Sequence, residues 1–205
     1  VTTWTVVIPV KPSVRGKSRL DVPGVDRVAL ARAIALDTID AAAACEAVAR
    51  VVVVTDDGGL VLQAGGIPGL RFVSDEDAVG LDAAVALGAE TAEGMPRAAL
   101  LGDLPALRPP DLAAALDAAA VVDRGVVADA EGTGSTLVTA RAGVAWASSF
   151  GKGSFARHVE LGCTPLPIPD ASTLRRDVDT ADQLDEAERL GLGPRTAELL
   201  VFHRR

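Results

Sequence analysis

Tyrosine is absent from this 205-residue chain, and aromatic residues make up only 3% of it. The interior must therefore be aliphatic, and a hydrophobic fraction of 49% supplies enough apolar material for a sizeable core. Cysteine is almost absent too. Cys45 and Cys163 stand far apart and outside any C-x-x-C pattern, which argues against a disulfide framework or a zinc site. Two reduced, buried thiols in a cytoplasmic protein are the expectation. Long uncharged apolar runs are missing as well: the most alanine-rich stretch, Ala29 to Ala44, is broken by Arg32, Asp37 and Asp40 and is unfit to span a bilayer. The opening residues, Val1-Thr2-Thr3-Trp4, lack the charged region of a signal peptide. Positive charge is in deficit, with a formal net charge of −8, so neither nucleic acid nor an anionic membrane is an expected partner. Against that background any local basic cluster becomes informative.

What is present is an alternation of short Val/Ile/Leu runs with longer helical patterns. No linker, internal repeat or charge block divides residues 1–205, which predicts a single domain. Buried strands are expected at Thr5–Val10, Arg50–Val54, Leu70–Val73, Ala98–Leu101 and Gly125–Ala128. Helices are expected at Val25–Ala44, Asp57–Gly65, Leu81–Ala92 and Pro110–Ala120. Runs that are apolar on both faces and alternate with helices predict an α/β fold, a parallel sheet covered by helices on both sides. Ser135–Ala140 is a further strand, close enough to Gly125–Ala128 to pair antiparallel across Glu131–Gly134. A helix at Ser154–Leu161, a strand at Leu166–Ile168 and helices at Ala181–Leu190 and Pro194–Phe202 complete the prediction. The whole is a mostly parallel, mixed sheet, in which ligands are expected beyond the carboxyl ends of the strands.

Five segments, some at such ends and some at helix starts, could carry chemistry. Lys11-Pro12-Ser13-Val14-Arg15-Gly16-Lys17-Ser18-Arg19 follows the first strand and carries four cations in nine residues with no acid. Cations, a glycine and free N–H groups suit a triphosphate. Gly16-Lys17-Ser18 imitates the end of a P-loop, but Lys11 stands where that motif requires its first glycine. In Leu100-Leu101-Gly102-Asp103-Leu104-Pro105 an apolar strand ends in a carboxylate, which can hold Mg²⁺ or simply form a turn. Asp177 and Asp179, two residues apart in an extended segment, point to one side, where a divalent cation would relieve their repulsion. Asp179 or Thr180 could instead cap the following helix. Gly132-Thr133-Gly134-Ser135-Thr136 and Phe150-Gly151-Lys152-Gly153-Ser154 offer glycine-permitted turns and hydroxyls suited to a small anion, with Ser154 where a helix begins. Arg157 and His158 follow one turn later, and solvent is the expected environment of His158.

Taken in order, these segments resemble the guanylyltransferases of deazaflavin coenzyme F-420 biosynthesis, which act on 2-phospholactate or phosphoenolpyruvate. The resemblance rests on Ile8-Pro9-Val10-Lys11 with Gly16-Lys17-Ser18-Arg19-Leu20, Gly80-Leu81-Asp82, Gly102-Asp103-Leu104-Pro105, Gly132 to Thr136, Phe150 to Ser154, and Asp177-Val178-Asp179-Thr180, spanning nearly the whole chain. That family is similar to molybdenum-cofactor guanylyltransferase and its relatives, which implies a three-layer α/β/α, glycosyltransferase-A-like nucleotidyltransferase fold. The resemblance further implies that Lys11, Lys17 and Arg19 hold the phosphates of GTP, that Gly80 and Asp82 lie near the base, and that Asp103, Asp177 and Asp179 bind Mg²⁺. Thr136, Gly151 and Ser154 would receive the acceptor, a small phosphorylated three-carbon acid, and Lys17 and Asp103 would be the catalytic pair. The chain departs from the family at Asp82, commonly Asn, and at Lys152, commonly small or Pro. A homodimer is compatible with the sequence, which does not specify one. Another acceptor, such as molybdopterin or a sugar phosphate, and a noncatalytic nucleotide-binding role remain open at this stage.

Overall fold

The computed structural model describes residues 2–11, 20–76, 78–92 and 94–203. Within them, a mixed seven-stranded sheet has the order β3-β2-β1-β4-β6-β5-β7. The strands are β1 (Trp4–Pro9), β2 (Val48–Val54), β3 (Leu70–Val73), β4 (Arg97–Leu100), β5 (Arg124–Ala128), β6 (Ser135–Ala140) and β7 (Thr164–Pro165). The helices are α1 (Arg27–Ala43), α2 (Gly58–Ala64), α3 (Leu81–Glu90), α4 (Pro109–Ala119), α5 (Ser154–Glu160), α6 (Ala181–Leu190) and α7 (Pro194–His203). β1 pairs in parallel with β2 and β4, and β2 with β3. β6 runs antiparallel to both its neighbours, β4 and β5, and the short turn between β5 and β6 requires the second of these pairings.

Period-2 alternation along β1 explains the layering. Trp4, Val6 and Ile8 join Leu36 and Ile39 of α1, Leu60 of α2 and Leu112 and Leu116 of α4 in one core. Val7 joins Val52, Val54 and Ala84 of α3 on the opposite face. Val126 and Val138 meet Val85, Phe150 and Cys163 on that same face. The result is the three-layer arrangement expected. Gly88 lets α3 approach the sheet closely, since a Cβ there would lie 2.3 Å from Val7 Cγ1. A fourth cluster, with Leu30, Ile34, Leu184 and Leu200, packs α6 and α7 on the outer side of α1. Both cysteines are buried and free.

The chain moves outward from β1 to β2 and β3, then returns to place β4 on the other side of β1. A crevice therefore opens between the carboxyl ends of β1 and β4, the switch point at which such sheets bind ligands.

One strand differs from expectation: β7 is Thr164–Pro165, parallel to β5, instead of Leu166–Ile168. Leu166 N–H still reaches the Val126 carbonyl at 2.9 Å, but Ile168 N–H folds back onto the Leu166 carbonyl at 2.8 Å. Pro165, Pro167 and Pro169 have no N–H to donate, so the ladder cannot continue.

Candidate active site

Two adjoining cavities occupy the carboxyl edge of the sheet. The smaller, about 250 Å³, is lined by Pro9, Val10 and Lys11 from the end of β1, and by Gly102 and Asp103 from the end of β4. The larger, about 690 Å³, is lined by the β5–β6 turn, the Phe150–Ser154 segment, and Asp177 and Asp179. Leu81, Leu101, Asp103 and Asp179 border both. Carboxylates thus stand between a cavity lined by Lys11 and one built of glycine and hydroxyl turns. Lys11 is exposed at the first; Lys17 and Arg19 lie outside the described residues.

The acids come together through backbone bonds between distant segments. Val178 N–H donates to the Asp103 carbonyl at 3.0 Å, which lays the 177–179 segment along the end of β4. Both flanking carboxylates then face the larger cavity. Thr180, not Asp179, caps α6, in a reciprocal capping box with Gln183. Asp177 Oδ1 is buried with no hydrogen-bond partner among the described residues. Burial, then the charges of Asp103, Asp129 and Asp179, push its carboxyl up to about 8. Such a carboxylate is poorly served by protein alone, and hard oxygen donors of this kind fit a divalent cation.

Among the described residues, the acidic group compact enough to hold a metal ion is a different trio. Carboxylate oxygens of Asp129, Glu131 and Asp177 lie within 4.8 Å of one another, so Asp177 alone is common to it and to the predicted trio. Asp129 is already engaged, accepting from Thr133 N–H at 2.9 Å and Gly134 N–H at 2.7 Å. Glu131 accepts from Gln183 Nε2 at 3.0 Å. The sequence expectation gives Asp129 no role, although it follows β5 as Asp103 follows β4, and that strand-end position is its signal.

The hydroxyl turns are also braced. Arg157 donates to the Ser149 hydroxyl and to the carbonyls of Ser149, Phe150 and Lys152. Asp82 accepts from Ser148 Oγ at 2.7 Å and Phe150 N–H at 3.0 Å, so its carboxylate is directed at this segment. Gly80, at φ 98°, is the residue before α3. Gly151, at φ 104°, adopts a backbone that favours glycine and lines the larger cavity with Ser154. Thr136 is fully buried and its Oγ1 has no partner among the described residues; Ser135 and Thr133, rather than Thr136, line the cavity.

His158 corrects the sequence reading. It is fully buried instead of solvent-facing. Its Nε2 accepts from Ser149 N–H at 2.9 Å, its Nδ1 lies 2.9 Å from Ser135 Oγ, and its ring meets Phe150 edge-on at 5.0 Å. Desolvation pushes its pKa down to about 4, so the ring is neutral at pH 7. Position on a short helix could not reveal this, because β6 supplies the partner.

The sheet order, the crevice and the strand-end acids define a nucleotidyltransferase fold of the nucleotide-diphospho-sugar transferase type. A nucleotidyl transferase from Methanothermobacter shares it at a TM-score of 0.65 and 16% identity, over 93% of this chain and 98% of that one. A 4-diphosphocytidyl-2C-methyl-D-erythritol synthase does so at 0.61 and 15%, over 93% and 99%. Within that class the sequence is decisive: residues 4–201 match the Guanylyl transferase CofC like family, and the chain belongs to it. Proteins named phosphoenolpyruvate guanylyltransferase are 48% identical in Thermomonospora curvata (96% of this chain, 88% of that protein) and 50% identical in Salinispora arenicola (96% and 92%). Among the described residues, no helix is long and apolar enough to cross a membrane.

Proposed function

We propose that this chain transfers GMP from GTP to the phosphate of phosphoenolpyruvate, releasing pyrophosphate, as a step of coenzyme F-420 biosynthesis, with 2-phospholactate as the other candidate acceptor. The observation that carries this reading is the pair of cavities divided by Asp103 and Asp179. One suits a triphosphate beside Lys11, the other a small anion among the Thr133–Ser135 and Gly151–Ser154 turns. The relatives' name, phosphoenolpyruvate guanylyltransferase, supports a guanylyl donor and phosphoenolpyruvate as acceptor.

The acceptor needs no dedicated base. A phosphate monoester is largely dianionic at neutral pH, its second pKa being ~6, and one of its oxygens can attack the α-phosphorus in line with the departing pyrophosphate. Positioning two polyanions and cancelling their charge is the main task. Lys11, Lys17 and Arg19 would hold the triphosphate and offset charge on the leaving group. Gly80 would stand near the base side and Asp82 would brace the Phe150 segment, while Gly151 and Ser154, with Thr133 and Ser135 in place of the buried Thr136, would serve the acceptor. Asp103, Asp177 and Asp179 would hold Mg²⁺, which when bound neutralises phosphate charge and polarises the reacting phosphoryl group. The unpartnered oxygen of Asp177 supports that assignment.

The test is a pyrophosphate-release assay over a matrix of nucleotides and acceptors. Release is expected only with GTP, Mg²⁺ and phosphoenolpyruvate or 2-phospholactate together. Equal release with molybdopterin or a sugar phosphate, and none with either acid, would overturn it.

A further inference from the structure

His158, Ser135 and Ser154 form a chain of buried polar groups that ends at the larger cavity, and its hydrogen-bond polarity can be counted. Ser149 N–H can only donate, so His158 Nε2, 2.9 Å away, must be the accepting nitrogen. The neutral ring then carries its proton on Nδ1, which points at Ser135 Oγ at 2.9 Å. Ser135 and Ser154 hydroxyls lie 3.3 Å apart and share at most one proton between them. Two hydroxyl protons are present, the ring nitrogen accepts neither, and among the described residues one is therefore left over. Both serines line the cavity, and both are buried otherwise.

How β6 delivers Ser135 to this position is also visible. Val127 pairs with Leu137 and Ala128 with Ser135, so one extra residue bulges out of β6 between them. A bulge breaks the in-out alternation and re-aims a side chain. Here it brings Ser135 to α5, on the face where Val138 and Phe150 pack.

We propose that His158 is a positioning residue that commits the Ser135–Ser154 hydroxyl pair to donate into the cavity, so that Ser135 helps to select an anionic oxygen of the acceptor. This rests on reading the larger cavity as the acceptor site. The ring cannot take a proton from the acceptor, because its accepting nitrogen is turned to the Ser149 amide. Its contribution is to substrate affinity and not to proton transfer.

The chain contains only two histidines, so a ¹⁵N-histidine spectrum of the full protein resolves His158 with little ambiguity. Without any ligand, at neutral pH, a neutral Nδ1–H ring is expected. An Nε2–H or doubly protonated ring would overturn the relay even in an active enzyme. In the second arm, calorimetry with phosphoenolpyruvate should show binding about tenfold weaker in Ser135→Ala, the size expected when one hydrogen bond to a charged group is lost, with GTP affinity unchanged. Unchanged phosphoenolpyruvate affinity, or an equal loss for GTP, would overturn the proposal. His158→Asn, which keeps a donor near the Nδ1 position, should bind phosphoenolpyruvate more tightly than His158→Leu; equal weakening would count against it. A wild-type protein with the Nδ1–H ring that neither binds nor uses phosphoenolpyruvate would overturn the acceptor assignment alone.

Discussion

Acidification should destabilise this protein through His158, and the size of the effect follows from its burial. The ring is 0% exposed. Removal from water, only partly opposed by the charge of Asp82, lowers its pKa from 6.5 to about 4. In the unfolded chain the same imidazole titrates at ~6.5. Between those values the unfolded state takes up a proton that the folded state refuses, so stability falls as pH falls. The contribution is fully present above the unfolded value and is lost as pH drops through about 4. At ~1.36 kcal/mol per pH unit, it amounts to about 3 kcal/mol. Urea unfolding of wild type and His158→Gln, from about pH 7 down to about pH 4, isolates it, because carboxylates common to both proteins cancel in the difference. Wild type should lead at neutral pH, and its lead should shrink by about 3 kcal/mol across that range. Parallel pH curves would refute the reasoning.

Three further outcomes are expected. Asp37, buried in α1, accepts from the backbone N–H groups of Arg195 at 3.1 Å and Thr196 at 2.8 Å and so caps α7 from a distant helix. Asp37→Ala should cost about 2–4 kcal/mol in urea unfolding by stranding both donors; a change within about 0.5 kcal/mol would contradict that role. Asp177, held up to about 8, contributes stability that is complete below the unfolded aspartate value of ~3.9 and is lost as pH rises through about 8. The metal-free protein should therefore melt lower at about pH 8.5 than at about pH 6.5, Mg²⁺ should reverse the loss, and Asp177→Asn should abolish both effects in a melting scan. Asp103→Ala should abolish pyrophosphate release while retaining the wild-type circular-dichroism spectrum; undiminished turnover would remove Asp103 from the metal site.

Much of the scaffold was legible because its signals are local. Leu70–Val73 and Ser135–Ala140 are apolar runs bounded by turn residues, and both appear as strands at those bounds. Asp57 before Gly58–Ala64 and Thr180 before Ala181–Leu190 are capping residues that need only their own helix. Leu166–Ile168 departs from the strand expectation because its hydrophobicity does not register the donors that alternate prolines remove.

The sequence by itself determined the alternation of strand and helix, the three-layer class, and the chemical inventory of a basic segment, strand-end acids and hydroxyl turns. Those properties depend on residue type and near-neighbour spacing alone. Only the tertiary structure decided which of the acids share a cavity. It is the Val178–Asp103 backbone bond that brings residues 103 and 177–179 together, and the reversal of β6 that adds Asp129 and Glu131. The same holds for His158, whose identity as a buried, neutral hydrogen-bond relay is set by Ser135 on another element and by exclusion of water. Desolvation and long-range hydrogen bonding belong to the packed molecule, and no spacing rule along the chain encodes them.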